Sequence, residues 1–478
     1  MVQKIEVAGK DPITVYGEKP LQLGGLITAE DYDLEEAYLI TSSGKTSIKN
    51  LMVEMSYYED ILTGVCSGSI LITDSINMID RLGMTGFDYL KLKFSKSENA
   101  SNISSVEKYF RVYRVSERLL SNYSTETYSL HFCTEEFFLS QQIKISRSCP
   151  GQKISQIVYS ILSNDLKIDK KYIRLQETDG IYDFVLPYKN AYQTINWLST
   201  YARPIGKKGA DFVFYENADG FNFFSLQNLF TQNSYNKYIY MPRNLGDKFS
   251  GLQNSELARN LIGIKAYVFL DTFDSLYGTT TGAFANKVIS IDPITRTYRT
   301  SDFNYQTYFN ESTSLNKYAL TPTLKNRLGK SATESYESVV KVVTSNAGQK
   351  KAKGISDQPW AVANDIFIEN SLPYRTAQMA LSHYSRVKIS LAGDPNLTVG
   401  MVVDVLLPSN RGGDGTGYNN GEVDQYNSGR YMITAVRHII DSNRRYETVL
   451  EVVKDSFASS VDTYSNIDEL QNAIKGKM

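Results

Sequence analysis

The chain has 478 residues, too many for one ordinary core, so roughly two to four domains are expected. Its 42% hydrophobic and 22% charged residues are those of a soluble globular protein, and a net charge of −1 argues against a strongly electrostatic nucleic-acid binder. No uninterrupted apolar window of about eighteen residues occurs, so no membrane span is expected, and Met1–Pro20 lacks the apolar core of a secretion signal.

Cys66, Cys133 and Cys149 have no metal-like spacing, and an odd number excludes a complete disulfide framework. Reduced thiols and synthesis in a reducing cytoplasm are expected. His131, His383 and His438 are too few and too scattered for a zinc site of the usual kind. The 34 tyrosines fit a β-rich fold, with extensive subunit contact as the competing explanation.

In chain order, residues 1–36 are polar and are expected to form an extended N-terminal arm, with Glu30, Asp31, Asp33, Glu35 and Glu36 as a solvated acidic patch. Residues 37–148 carry strand signals. Leu51, Val53, Met55 and Tyr57 alternate with polar neighbours, Ser69–Thr73 is a second strand, and Leu90, Leu92 and Phe94 mark a third. Met78–Leu82 reads as one or two helical turns closed by Gly83, and Phe110, Val112 and Thr127–Phe132 complete an antiparallel barrel or sandwich. The period changes in 149–204, an α/β insert with two helices. Ile154, Ile157, Val158, Ile161 and Leu162 lie on one helical face, and a second helix starts at the cap Asn190 and is stopped by Pro204.

Phe212–Tyr215 and Phe221–Phe224 flank a five-residue loop, Glu216–Gly220, and this hairpin is expected to open a second β-barrel made of 205–275 and 375–458. Residues 276–374 form a polar insertion of uncertain fold. It ends in the basic linker Gly348–Gly354 and in a helix over Asp365–Ser382 that Pro373 breaks or kinks. The last strands follow clearly. Val387, Ile389 and Leu391 share a face, Met401–Leu407 is an apolar run, and Tyr431–Ile440 pairs with Tyr446–Val453 in a hairpin. Residues 459–478 are a C-terminal tail with short helical character.

Little in the chain points to catalysis. No Walker loop, dinucleotide fingerprint, GxSxG, HExxH or CxxC occurs. The run Arg411–Gly417 lacks the lysine and following helix of a phosphate cradle and reads as a flexible loop. Glu59-Asp60 and Glu135-Glu136 read as surface carboxylates pointing apart on strands. Asn99 and Asn122 match a glycosylation pattern that has no force without a secretion signal. No catalytic, cofactor-binding or metal-binding residue is assigned, no cofactor is expected, and the chain is expected not to be an enzyme.

The motifs that remain are those of turns and strands: Gly393-Asp394-Pro395-Asn396-Leu397 with Val399-Gly400 and Val402–Val405, then Ser428–Tyr431, Val436-Arg437-His438 and Tyr446-Glu447-Thr448. With Met55–Thr73, Asn190-Ala191-Tyr192 through Trp197-Leu198, and Gly282–Asn286 before Ile289–Asp292, they resemble the baseplate hub proteins of contractile-tailed bacteriophages and related injection machines. The resemblance implies a mainly β chain with α+β inserts: two tail-tube-like antiparallel β-barrels and a small helical α+β domain. It implies a homotrimer forming a pseudo-sixfold ring between a sixfold tail tube and a threefold central spike. The implied partners are the spike, the tube or a tube initiator, and baseplate wedge proteins, with DNA passing the channel unbound. The location would be the virion tail baseplate, after synthesis in the bacterial host cytoplasm. The competing readings are a peripheral baseplate or receptor-binding protein and a wall-degrading tail enzyme.

Overall fold

The computed structural model describes residues 30–96, 105–122, 125–240, 261–293, 296–319, 325–344, 371–382, 385–407, 424, 426–443 and 445–458. Residues 1–29 of the expected N-terminal arm, the linker 348–354, residues 365–370 of the expected helix, the glycine-rich run 411–417, His383, Asn99, the side chain of Asn122 and the tail 459–478 lie outside these residues. The chain is mainly β, and no helix among the described residues is long and apolar enough to cross a membrane.

Seven strands make the first unit: β1 (Asp33–Thr41), β2 (Gly44–Ser47), β3 (Met52–Asp60), β4 (Ser67–Asp74), β5 (Tyr89–Ser95), β6 (Val106–Asn122) and β7 (Thr125–Thr134). They pair antiparallel in the order β3-β4-β7-β6-β5-β1-β2 around Leu39, Met55, Tyr57, Ile70, Phe94 and Phe132. The expected turn at Met78–Leu82 is helical, and Gly83 caps it in the left-handed region at φ 59°. The acidic arm needs correcting. Asp33, Glu35 and Glu36 lie in β1, whose Leu34, Ala37 and Leu39 are buried, and Glu36 and Glu35 pair with Lys91 and Lys93 of β5. The other faces of these residues are apolar, so the acids are the outward half of a strand.

The insert holds β8 (Ser148–Gln152), β9 (Ile173–Leu175) and β10 (Tyr182–Val185), with helices Ile154–Ser160 and Ala191–Ser199. Ile154, Ile157, Val158, Ile161 and Leu162 are all buried, as the spacing requires, and the Asn190 side chain accepts from the Gln193 amide at 2.8 Å. Pro204 does not stop this helix, which is capped at Thr200; Pro204 bridges to Thr178 instead.

The aromatic hairpin is β11 (Phe212–Asn217) and β12 (Gly220–Ser225), joined by the two residues Ala218-Asp219 rather than by a five-residue loop. It does not open the second barrel. β12 pairs in parallel with β9, and all twelve strand residues are buried. Phe212, Phe214, Phe221 and Phe223 pack on the insert's helices, while Val213, Tyr215 and Phe224 pack on the C-terminal core. A strand covered on both faces shows no polar alternation, which is why the period was uninformative there.

The remaining strands are β13 (Lys237–Tyr240), β14 (Gly263–Ile264), β15 (Ala266–Asp271), β16 (Ala285–Asp292), β17 (Thr297–Asn304), β18 (Val340–Thr344), β19 (Ser385–Ala392), β20 (Val402–Leu406), β21 (Gly429–Asp441) and β22 (Tyr446–Lys454). The ladder β13-β20-β21-β22-β19-β15 returns through β14 to β13, so the C-terminal strands close into a barrel. It is not wholly antiparallel, because β13 runs parallel to both β14 and β20. The polar insertion folds as a three-stranded sheet, β17-β16-β18, against the helix Leu372–Leu381. Pro373 neither breaks nor kinks that helix; it occupies the first turn, where a missing amide hydrogen costs nothing.

The two β units share one sheet. The first part of β21 pairs with β20, and its last part, Ala435–Asp441, pairs antiparallel with β3. A register shift between Ile433 and Ala435 bends the strand where it changes unit, and there the Ile61 amide donates to the Thr434 carbonyl at 2.9 Å. Accordingly Tyr431, Ile433 and Leu450 lie in the C-terminal core, whereas Ile440 and Tyr446 lie in the N-terminal one.

Candidate functional site

Where the two β units and the aromatic hairpin meet, polar side chains stand at core-facing positions of four strands. Glu59 follows Met55 and Tyr57 on the inner face of β3, Lys108 lies between Val106 and Phe110 on β6, Thr134 follows Phe132 on β7, and Glu216 follows Phe214 on β11. The Glu59 carboxylate is 1% exposed. It accepts the Tyr57 hydroxyl at 2.9 Å, the Ala218 amide at 2.7 Å and the Val399 amide at 3.2 Å. One carboxylate therefore holds β3, the hairpin turn and the loop before β20.

Glu216 accepts Lys108 Nζ at 2.9 Å and the Thr134 hydroxyl at 2.8 Å, and Lys108 also donates to the Asn217 carbonyl at 2.6 Å. Burial pushes the Glu59 carboxyl up to about 7, against the pull of Lys108 and of its three hydrogen bonds. Burial and then the Glu216 charge likewise push Glu136 up to about 7. For Lys108, burial opposes the charge, but the Glu216 carboxylate beside it outweighs this and holds the ammonium above its usual range. The expectation that Glu59-Asp60 and Glu135-Glu136 are surface carboxylates pointing apart on strands is thus corrected. Glu59 is buried, and both members of the second pair begin the helix Glu135–Gln142. The missed signal was phase: Glu59, Lys108 and Thr134 repeat the parity of their strands' apolar residues, whereas β11, buried on both faces, gives Glu216 no such mark.

The loop singled out by sequence, Gly393–Gly400, is pinned to both units. The Gly393 amide donates to the Tyr446 carbonyl at 2.9 Å, and a β-carbon there would lie 2.1 Å from the Tyr446 ring. Gly400 has φ +86°, and a β-carbon there would lie 2.4 Å from the Tyr215 hydroxyl. Tyr235 donates to Asp394 at 3.0 Å, and Lys96, from the N-terminal unit, donates to the Gly393 carbonyl at 2.6 Å. Next to the loop's anchor, His438 stacks on Tyr57 and meets the Tyr446 hydroxyl at 2.8 Å; burial lowers it to about 4, so it is neutral.

This arrangement binds elements together and offers no reacting group to solvent. All three cysteines are free and buried, and burial pushes the Cys66 thiol up, away from the reactive thiolate. His131, three residues before Thr134 on β7 and of the opposite parity, is engaged by the Ser116 hydroxyl at 2.7 Å. The described residues contain no group of three or more side chains able to hold a metal ion.

No protein-family model matches the chain. It is 24% identical over 420 residues to a probable baseplate hub protein of Vibrio phage KVP40, an alignment spanning 86% of this chain and 91% of that protein. Among solved structures, a tail protein from Neisseria meningitidis MC58 matches at TM-score 0.47 and 10% identity, over 89% of this chain and 97% of that one. The 43 kDa tail protein of prophage MuSo2 from Shewanella oneidensis matches at TM-score 0.45 and 9% identity, over 88% and 98%. None of these names describes an enzyme. The resemblance to baseplate hub proteins read from the turn and strand motifs is therefore borne out by a curated hub relative aligned along most of both chains.

Proposed function

We propose that the chain is a structural hub of a phage tail baseplate, located in the virion. Three copies would form a ring of six β units that adapts a sixfold tail tube to a threefold central spike and encloses the channel. The observation that supports this reading best is the shared strand β21, which fixes the N-terminal sheet and the C-terminal barrel side by side in one hydrogen-bonded sheet. Two laterally joined units per chain, repeated by a threefold axis, give six positions from three copies. The 24% identity with a probable hub protein runs through both units. In this reading the partners are two further copies, the spike, the tube or its initiator, and wedge proteins. A net charge of −1 suits a lumen that passes DNA without gripping it. The first unit (37–148), the insert (149–204) and the second barrel (205–275 with 375–458) would be its domains, with the hairpin 212–225 serving both insert and barrel.

The test is the mass in solution, by multi-angle light scattering with and without the spike protein. A mass three times the 53.9 kDa of one chain is expected. A strictly monomeric mass under both conditions would refute the ring.

A further inference from the structure

The junction holds more carboxylates than it can neutralise. The buried Glu59 and Glu216 and the half-buried Glu136 face one ammonium, Lys108, while Glu135 beside Glu136 has its own cation in Arg111. From the other elements packed around them come only groups that are neutral at pH 7. These are Tyr57 on β3, Cys66 ahead of β4 and Tyr192 on the helix Ala191–Ser199, with His438 and Tyr446 behind Tyr57. Glu135 is engaged by Arg111 and Tyr89, and the nearby Asp219 by Arg174. Among the described residues Lys108 is thus the one cation from these elements for Glu59, Glu216 and Glu136, since Arg111 is taken by Glu135.

We propose that this junction retains a proton among its buried carboxylates, and that losing it loosens the joint between the two β units, so the seam responds to pH. Glu59 is the hinge of the argument. Its donors Ala218 and Val399 belong to the hairpin turn and the loop before β20, so parting the units wets Glu59 and breaks two of its three bonds together. In water the carboxyl returns to its ordinary acidity, whereas burial had raised it to about 7. The closed joint therefore binds more protons than the open one. Its extra stability is complete below the ordinary carboxylate value and is lost as pH rises through about 7.

The amides of Ala218 and Val399 are built-in reporters. Hydrogen exchange of the full chain, corrected for the intrinsic pH dependence of exchange, should show their opening constant rising roughly twentyfold to thirtyfold from about pH 5.5 to about pH 8. Amides of the β19–β22 ladder at Val387 and Val452, away from the seam, should show no such rise. Glu59→Gln should flatten the dependence. An opening constant in the unmutated chain that is flat over this range overturns the proposal, even if the variant fails to fold. So does an unchanged slope in a folded Glu59→Gln. A protonated-carboxyl infrared band that fades over the same range is the second expected signature. These measurements concern the joint within one chain and do not depend on ring formation, so a monomeric mass and a flat exchange profile are separate failures.

Discussion

Replacing Lys108 by methionine keeps the apolar stem and removes the one cation at the junction. Glu216, only 2% exposed in its side chain, is then left with the Thr134 hydroxyl and the distant Cys66 amide. Leaving the carboxylate charged and unpaired in a buried site costs about 3–5 kcal/mol. The expected loss in urea unfolding at pH 7.5 is therefore about 4 kcal/mol. Lys108→Met combined with Glu216→Gln should come within about 1–2 kcal/mol of the parent, because no charge is then stranded. A loss under about 1 kcal/mol at pH 7.5 refutes the assignment of Lys108 as the neutralising partner.

Two further outcomes follow from the neighbouring packing. His438 is held neutral, with burial lowering it to about 4, so its contribution is complete above about 6.5 and is lost as pH falls through 4. The stability difference between the parent and His438→Gln should therefore narrow by up to about 3 kcal/mol between those limits, measured by urea midpoints across the range. Gly400→Ala forces a β-carbon to 2.4 Å from the Tyr215 hydroxyl at φ +86°, and a loss of about 2–4 kcal/mol is expected. Adding Tyr215→Phe should recover the steric share and leave the backbone share. Full recovery would show that the left-handed backbone costs nothing there.

Strands with one wet face were legible because burial enforces period two. Val387, Ile389 and Leu391 are buried on one face, as are Tyr446, Thr448, Leu450 and Val452 on the partner strand. The helix at 154–162 was legible for the same reason at period 3.6. What failed were positions governed by distant partners. The hairpin Phe212–Ser225 lost its alternation because two different cores cover its faces. Glu59 was taken for a surface residue because charge was weighed above phase, although Met55-x-Tyr57-x-Glu59 already placed it inward; Lys108, in phase with Val106 and Phe110, was not singled out. Glu216 lay in a misread loop, and nothing local says that Lys108 meets a residue 108 positions away. Pro373 was misjudged because a proline within a helical pattern and one at its first turn look alike until the start of the helix is known.

The length of β21 carries the last step. Its 13 residues span about 43 Å at about 3.3 Å each, longer than one small barrel uses along a strand. The surplus is what β3 pairs with. Register along this seam is not free to slip: a shift of one residue would turn Tyr57 and Glu59 of β3 away from the N-terminal core, and the bulge at Thr434 fixes where the strand changes partner. The offset between the two units is thus set by two cores at once. In a threefold ring of such chains, three of the six lateral contacts would be this seam, held by continuous chain and independent of concentration. Only the other three would have to form by association. A substitution that loosens the seam, such as Lys108→Met, would then lower the cooperativity of ring assembly as well as the stability of the chain. A substitution on an outward edge would weaken assembly alone, and comparing the two separates seam from interface.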